Sequence, residues 1–260
     1  MFAPSVRQPT LSIRLGGVAL IGGALAFMGV FAYLAARFDY PAVLDGPADR
    51  VLPALLATGW AGRATWALYG LLPLIWIPAG VGAYYALRRT HPGATLLALH
   101  CAAVSAISMI LGLLRWPSIH WRLAEQYAAA DASERRVIAA VFDGLNSYLG
   151  NYLGEFLGEF AFSSFFVLTA WALLRSGRAN RLVALLGLTT GALGWVGMFR
   201  NLTSAVAPVA AVNNYLLPLW MIVFGVVLLR ERPDESLSRG LAEHSTLGIE
   251  GSGRLDPAIP

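Results

Sequence analysis

Lysine does not occur in this 260-residue sequence, and cysteine occurs once, at Cys101. The single thiol excludes disulfide frameworks, zinc knuckles and CxxC redox chemistry within one chain. Without lysine, every one of the basic residues is an arginine. Charge as a whole is scarce at 13% of residues, against about 25% in soluble domains. GxSxG, HExxH, a Walker loop and a GxGxxG in a βαβ setting are all missing. ATP-driven transport by this chain is thereby disfavoured. The arginines are scattered at segment ends rather than clustered, so no nucleic-acid partner is indicated.

What fills the space is hydrophobic, at 57% of residues. Six segments approach or exceed the roughly 20 residues needed to cross a hydrocarbon core of about 30 Å. They fall near 13–36, 64–87, 94–115, 150–174, 182–200 and 206–229. The first is too long for the h-region of a signal peptide, about 7–15 residues, and reads as an uncleaved span. The fold class is therefore all-α: a polytopic membrane protein of six transmembrane helices with amphipathic helices on the outer face.

Arginines of short loops set the orientation. Arg7 and Arg14, Arg88 and Arg89, Arg175, Arg178 and Arg181, and Arg230, Arg232 and Arg239 share one side. The two inter-helix loops there carry no acid, whereas arginines opposite are accompanied by Asp39, Asp45, Asp49, Glu125, Asp131 and Glu134. This predicts a multi-pass protein of a bacterial cytoplasmic (inner) membrane with both termini inside. Residues 1–12 read as a cytoplasmic segment, 13–230 as the transmembrane domain and 231–260, poor in apolar residues, as a disordered cytoplasmic tail.

Two outer segments exceed what a connector requires. In 37–63, Asp45 is placed to cap a short helix with Pro47 in its first turn, its apolar Val51, Leu52, Leu55 and Leu56 lying on the membrane surface or the bundle. In 116–149, Asp131 followed three residues later by Glu134 has the pattern of a capping box. From Glu134 to Leu174 one helical pattern would extend about 60 Å at 1.5 Å per residue. Glycines at 144, 150, 154 and 158 offer places for it to bend.

That long segment carries Asp143, Ser147, Asn151, Glu155, Glu159 and Ser163 at intervals of four, a polar stripe on one helix face. Counting from Leu174 puts Glu159 about 22 Å and Glu155 about 28 Å from the inner boundary. Arg115 and His120 at the end of the third span, Arg200 and Asn201 at the end of the fifth, and Asn213 and Asn214 in the sixth reach the same outer level. The inner half holds little beyond His100, Ser105 and Ser108. The outer residues Glu155, Glu159, Asn151, Asp143, Arg115, Arg200, Asn201, Asn213 and Asn214 thus form a candidate ligand-binding set around a polar cavity or buried network.

Carboxylates in lipid are costly, so both glutamates face the bundle interior. Two roles stay open. Either they pair with Arg115 and Arg200, two acids against two bases, as a structural lock, or one is left for a proton, a ligand or a metal, because carboxylates one turn apart repel. Glu155, Glu159 and His120, with Asp143, are weak metal candidates of carboxylate-plus-imidazole type. His120 otherwise anchors at the interface with Trp116 and Trp121. No cofactor is indicated.

The segment "YPAVLDGPADRVLPALL" after the first span, with that span's glycine-rich start, resembles bacterial six-helix inner-membrane families described as domains of unknown function. The resemblance covers about residues 13–230, implies a compact six-helix membrane domain and transfers no functional residue. Three functions remain: binding or transport of a small molecule or ion at the outer cluster; an intramembrane enzyme using Glu155 and Glu159 as acid/base groups or metal ligands; and an accessory subunit whose cluster is structural. Partners under these readings are the bilayer, the small-molecule or ion ligand, and a second copy or a neighbouring membrane subunit.

Overall fold

The computed structural model describes residues 7–231. The tail expected over 231–260 lies, beyond Glu231, outside the described residues. Among the described residues every regular element is helical, and six helical stretches are long and apolar enough to cross a membrane.

The first span is α1 (Arg7–Phe38), which begins earlier than the apolar run because the polar residues before it continue the helix. The connector after it holds α2 (Ala48–Ala57). The second span is α3 (Gly59–Leu71) and α4 (Trp76–Leu87), joined by a 3-10 turn at Pro73. Proline removes a helical N–H, so the tightening falls where the ladder is already interrupted. The third span is α5 (Pro92–Leu114), continued through a π-helical turn, Trp116–His120, into α6 (Trp121–Ala129). The fourth runs from α7 (Ala132–Leu145) through a π-helical stretch, Asn146–Leu157, into α8 (Gly158–Ser176). Spans five and six are α9 (Arg181–Gly197) and α10 (Ala207–Arg230).

Several of these boundaries follow directly from residue chemistry. Asp131 accepts from the N–H groups of Ser133 and Glu134 at 2.7 and 2.9 Å, and Glu134 accepts from the Asp131 N–H at 3.0 Å. The expected capping box is present. Gly177 closes α8 in the left-handed conformation at φ 65°, and Asn180 caps α9 through the Leu182 N–H at 2.9 Å. At α2 the expectation is displaced by two residues. The cap position belongs to Pro47, without a side-chain bond, and Asp45 ends a preceding 3-10 turn.

The spans form a closed ring in chain order: α1 on α4, α4 on α5, α5 on α8, α8 on α9, α9 on α10, and α10 back on α1. Glycines set the closest crossings. A Cβ on Gly16 would stand 2.8 Å from the Gly82 Cα, and one on Gly17 would stand 2.7 Å from the Gly225 carbonyl oxygen. Small residues let backbones approach where lipid gives helices no hydrophobic reason to associate. One half of the ring is filled by Trp76, Phe162, Phe166, Trp220 and Phe224. The other half, on the side away from the chain ends, is a second core. There Val51, Leu52 and Leu55 of α2 pack among Phe38, Trp66, Trp116 and Phe142. Trp66 and Trp116 stack at 4.8 Å; such pairs contribute about 0.5–1.5 kcal/mol beyond burial. The apolar face of α2 therefore belongs to the bundle, as a lid over its far face.

Candidate functional site

The far-face polar residues rest on three chain segments. The last turn of α9 tightens into a 3-10 turn, Met198–Asn201, which delivers Arg200 and Asn201 beside the π stretch. The Arg200 guanidinium donates to Oε2 of Glu159 at 2.6 Å and to Oε2 of Glu155 at 3.0 Å. The Asn201 amide donates to the same Glu155 oxygen at 3.0 Å and to the Asn151 carbonyl at 2.9 Å. Glu155 and Glu159 thus share one cation, joining span four to span five. Side chains of the three ionic groups are 24–29% exposed, so the unit is only partly enclosed by the protein.

Arg115 takes a different course from the two-acids, two-bases pairing. It is 4% exposed, and its Nε and Nη2 both donate to Oδ1 of Asn146 at 3.1 Å. Nη1 donates to the Gly112 carbonyl at 2.5 Å, and the guanidinium lies over the Trp116 ring at 5.0 Å. Asn146 in turn donates to the Leu44 carbonyl at 3.0 Å, which fastens the α1–α2 connector to the bundle. Gly150 makes room for this: a Cβ there would lie 2.3 Å from Arg115 Nη2. Gly112 and Gly154 cross alongside, with a Gly112 Cβ landing 2.6 Å from the Gly154 Cα.

Both π-helical stretches meet at Arg115, one continuing from it and one supplying Asn146. Extended π-helix is rare, and π-bulges recur at functional sites. Extra residues per turn also reassign faces. Asn146, Gly150, Gly154 and Gly158 turn inward to meet α5, while Asn151, Glu155 and Glu159 turn toward the end of α9.

Two hydroxyls join the site without having been singled out from sequence. Tyr40 and Tyr69 face each other, oxygen to oxygen, at 3.2 Å. Burial pushes the Tyr40 hydroxyl above its ordinary range; the Tyr69 bond opposes this, Glu155 adds to it, and Arg200 and Arg115 oppose it. That dependence sets Tyr40 within electrostatic reach of Glu155 and both arginines. Tyr40 lies in a connector and Tyr69 in an aromatic-rich helix, so only their separation of 29 residues across a folded chain reveals the pair.

The remaining candidates lie elsewhere. Asp143 is exposed and borders a groove of about 600 Å³ between α2, α6 and α7, with Asp49, Arg135 and Arg136. Asn214 is exposed. Asn213 is buried and, with its amide turned to satisfy both groups, donates to the Thr190 carbonyl at 3.1 Å and accepts from the Gly194 N–H at 3.3 Å. It serves the α9–α10 contact. His120 is fully buried between Trp116 and Phe142, at 4.8 and 4.7 Å between ring centroids. It is a core residue rather than an interface anchor. Among the described residues no three His, Cys, Asp or Glu side chains gather as metal ligands, so His120 and the two glutamates are not brought together as such a set.

No curated protein and no solved structure matches this chain. Residues 15–229 do match a family: the chain belongs to the family described as a domain of unknown function, DUF4386.

Proposed function

We propose that Glu155, Glu159 and Arg200 form a proton- or cation-responsive site on the outer face, through which the protein binds or transports a small molecule or ion. The supporting observation is the sharing itself: two carboxylates contact a single guanidinium. One carboxylate is enough to neutralise Arg200. The other leaves a formal negative charge with no second cation bonded to it among the described residues; Arg115, bonded to Asn146 and Gly112, acts on Glu155 only through space. A proton or small cation completes the balance. Asn201 and the Asn151 carbonyl supply neutral polar groups beside that position. The ring centre below is filled with aromatic side chains, so passage through the protein requires the spans to part rather than a standing pore.

The unfolding midpoints of Glu155→Gln, Glu159→Gln and the double variant, in detergent, test this reading. Each single change leaves Arg200 one carboxylate and costs less than about 1 kcal/mol. The double change strands a largely buried guanidinium and costs about 3 kcal/mol. Stabilisation of the wild type by acid or by a small cation disappears in at least one single variant. If each single variant is as damaged as the double and no ion stabilises the wild type, the site reading is wrong.

One observation favours a second reading, in which the cluster is a lock in an accessory subunit: Arg200 ties span four to span five and Arg115 ties span three to span four. Under that reading the protein's abundance falls when a neighbouring membrane protein is removed, and no solute accumulates in proteoliposomes.

A further inference from the structure

The face carrying the chain ends holds a cleft of about 360 Å³ where α8 turns into α9, lined by Leu174, Arg175, Gly177, Ala179 and Arg181. Four arginines of this face fall into two pairs. Arg88 stacks over Tyr84 and Tyr85 at 5.6 and 4.6 Å. Arg178 donates to the Ala86 carbonyl and pairs with Glu231 at 3.3 Å. Arg175 and Arg181 are exposed, contact no carboxylate among the described residues, and line the same cleft.

Neither inter-helix loop of this face contains an acid that would balance them. The 17-residue helix α9 starts at the cleft, adding the positive end of its dipole. Beside the cleft the surface is apolar: Leu182 follows Arg181 and is 72% exposed, and Trp171, one turn before Arg175, is 40% exposed. Two guanidiniums that contact no carboxylate among the described residues, at a membrane boundary and beside exposed apolar side chains, complement a phosphate that carries acyl chains. Guanidinium binds phosphate through parallel N–H donors.

We infer that this cleft binds the phosphate of an anionic phospholipid, with its acyl chains along Leu182 and Trp171. The site is independent of the glutamate cluster at the opposite face. Juxtamembrane arginines each strengthen attraction to anionic lipid, and loss of two lowers apparent affinity about 30-fold.

The experiment follows the unfolding midpoint of the purified full chain in non-ionic detergent during titration with phosphatidylglycerol, phosphatidylcholine or inorganic phosphate. It compares wild type with Arg175→Gln/Arg181→Gln and with Arg14→Gln/Arg230→Gln, which removes the same charge elsewhere. Phosphatidylglycerol raises the wild-type midpoint, phosphatidylcholine does not, and only the cleft variant shows the roughly 30-fold loss. Arg175→Lys/Arg181→Lys retains most of the response and serves if the glutamine pair does not fold. Equal loss in both glutamine variants, or equal response to phosphatidylcholine, overturns the inference. An equal response to inorganic phosphate that is lost in the cleft variant also overturns it, assigning the cleft to a free anion.

Discussion

At the scale of single residues, Arg115 and Arg200 show how the same side chain serves two ends. Arg200 is neutralised by carboxylates, and its partners are partly exposed. Arg115 is buried and satisfied by an amide, a carbonyl and a ring face. A buried cation held only by neutral groups depends on all of them, because losing one donor's partner leaves a charged group unsatisfied. Asn146→Ala is therefore expected to cost about 3 kcal/mol, since it removes two bonds to the guanidinium and the tether to Leu44. Gly150→Ala pushes a methyl into the same guanidinium and costs about 1–3 kcal/mol. Thermal unfolding in detergent measures both; a neutral Gly150→Ala would mean that Arg115 has another place to go.

At the scale of elements, the fourth span is one helical run from Ala132 to Ser176 whose middle is π-helical. Its glycines are not equivalent. Gly112 of α5 meets the Gly154 backbone, which cannot yield as a flexible side chain can, whereas Gly144 in α7 has nothing within reach of an added methyl. Gly112→Ala should therefore destabilise by about 1–3 kcal/mol. Gly144→Ala should stabilise by about 0.5–1 kcal/mol through lower unfolded-state entropy. Opposite signs in paired melts check the packing of α5 on the π stretch; two shifts of the same sign would contradict it.

At the scale of the whole molecule, the ring closes where α1 meets α10, and that seam joins the first span to the last. Nothing covalent holds it, so it depends on close backbone approach at Gly17 and Gly225. Leucine at Gly17 wedges the seam apart, while leucine at Gly22, which points into open space, leaves it intact. The expected result is a clearly lower unfolding midpoint for Gly17→Leu than for Gly22→Leu. Similar midpoints would place the stability of the bundle elsewhere. Opening of this same ring is the motion that any transport through the domain requires, because its centre is occupied by Trp76, Phe162 and Trp220.

The six spans, the capping box at Asp131 and the need of Glu155 and Glu159 for a partner inside the bundle were legible in the sequence. Each rests on a local rule: apolar length against bilayer thickness, a side chain reaching its own helix end, and the cost of leaving a carboxylate in lipid without a partner. Four-residue spacing also put Asp143 on the polar stripe, but the π-helical stretch changes the number of residues per turn and leaves Asp143 outside the cluster. Which arginine takes the carboxylates, the Tyr40–Tyr69 pair, the burial of His120 and the structural use of Asn213 were decided only in the tertiary structure. They depend on how α5, the π stretch and α9 come together, and that is governed by backbone approach at glycines of different helices. A periodicity within one segment reports which face is polar; it carries no information on which distant segment that face will meet.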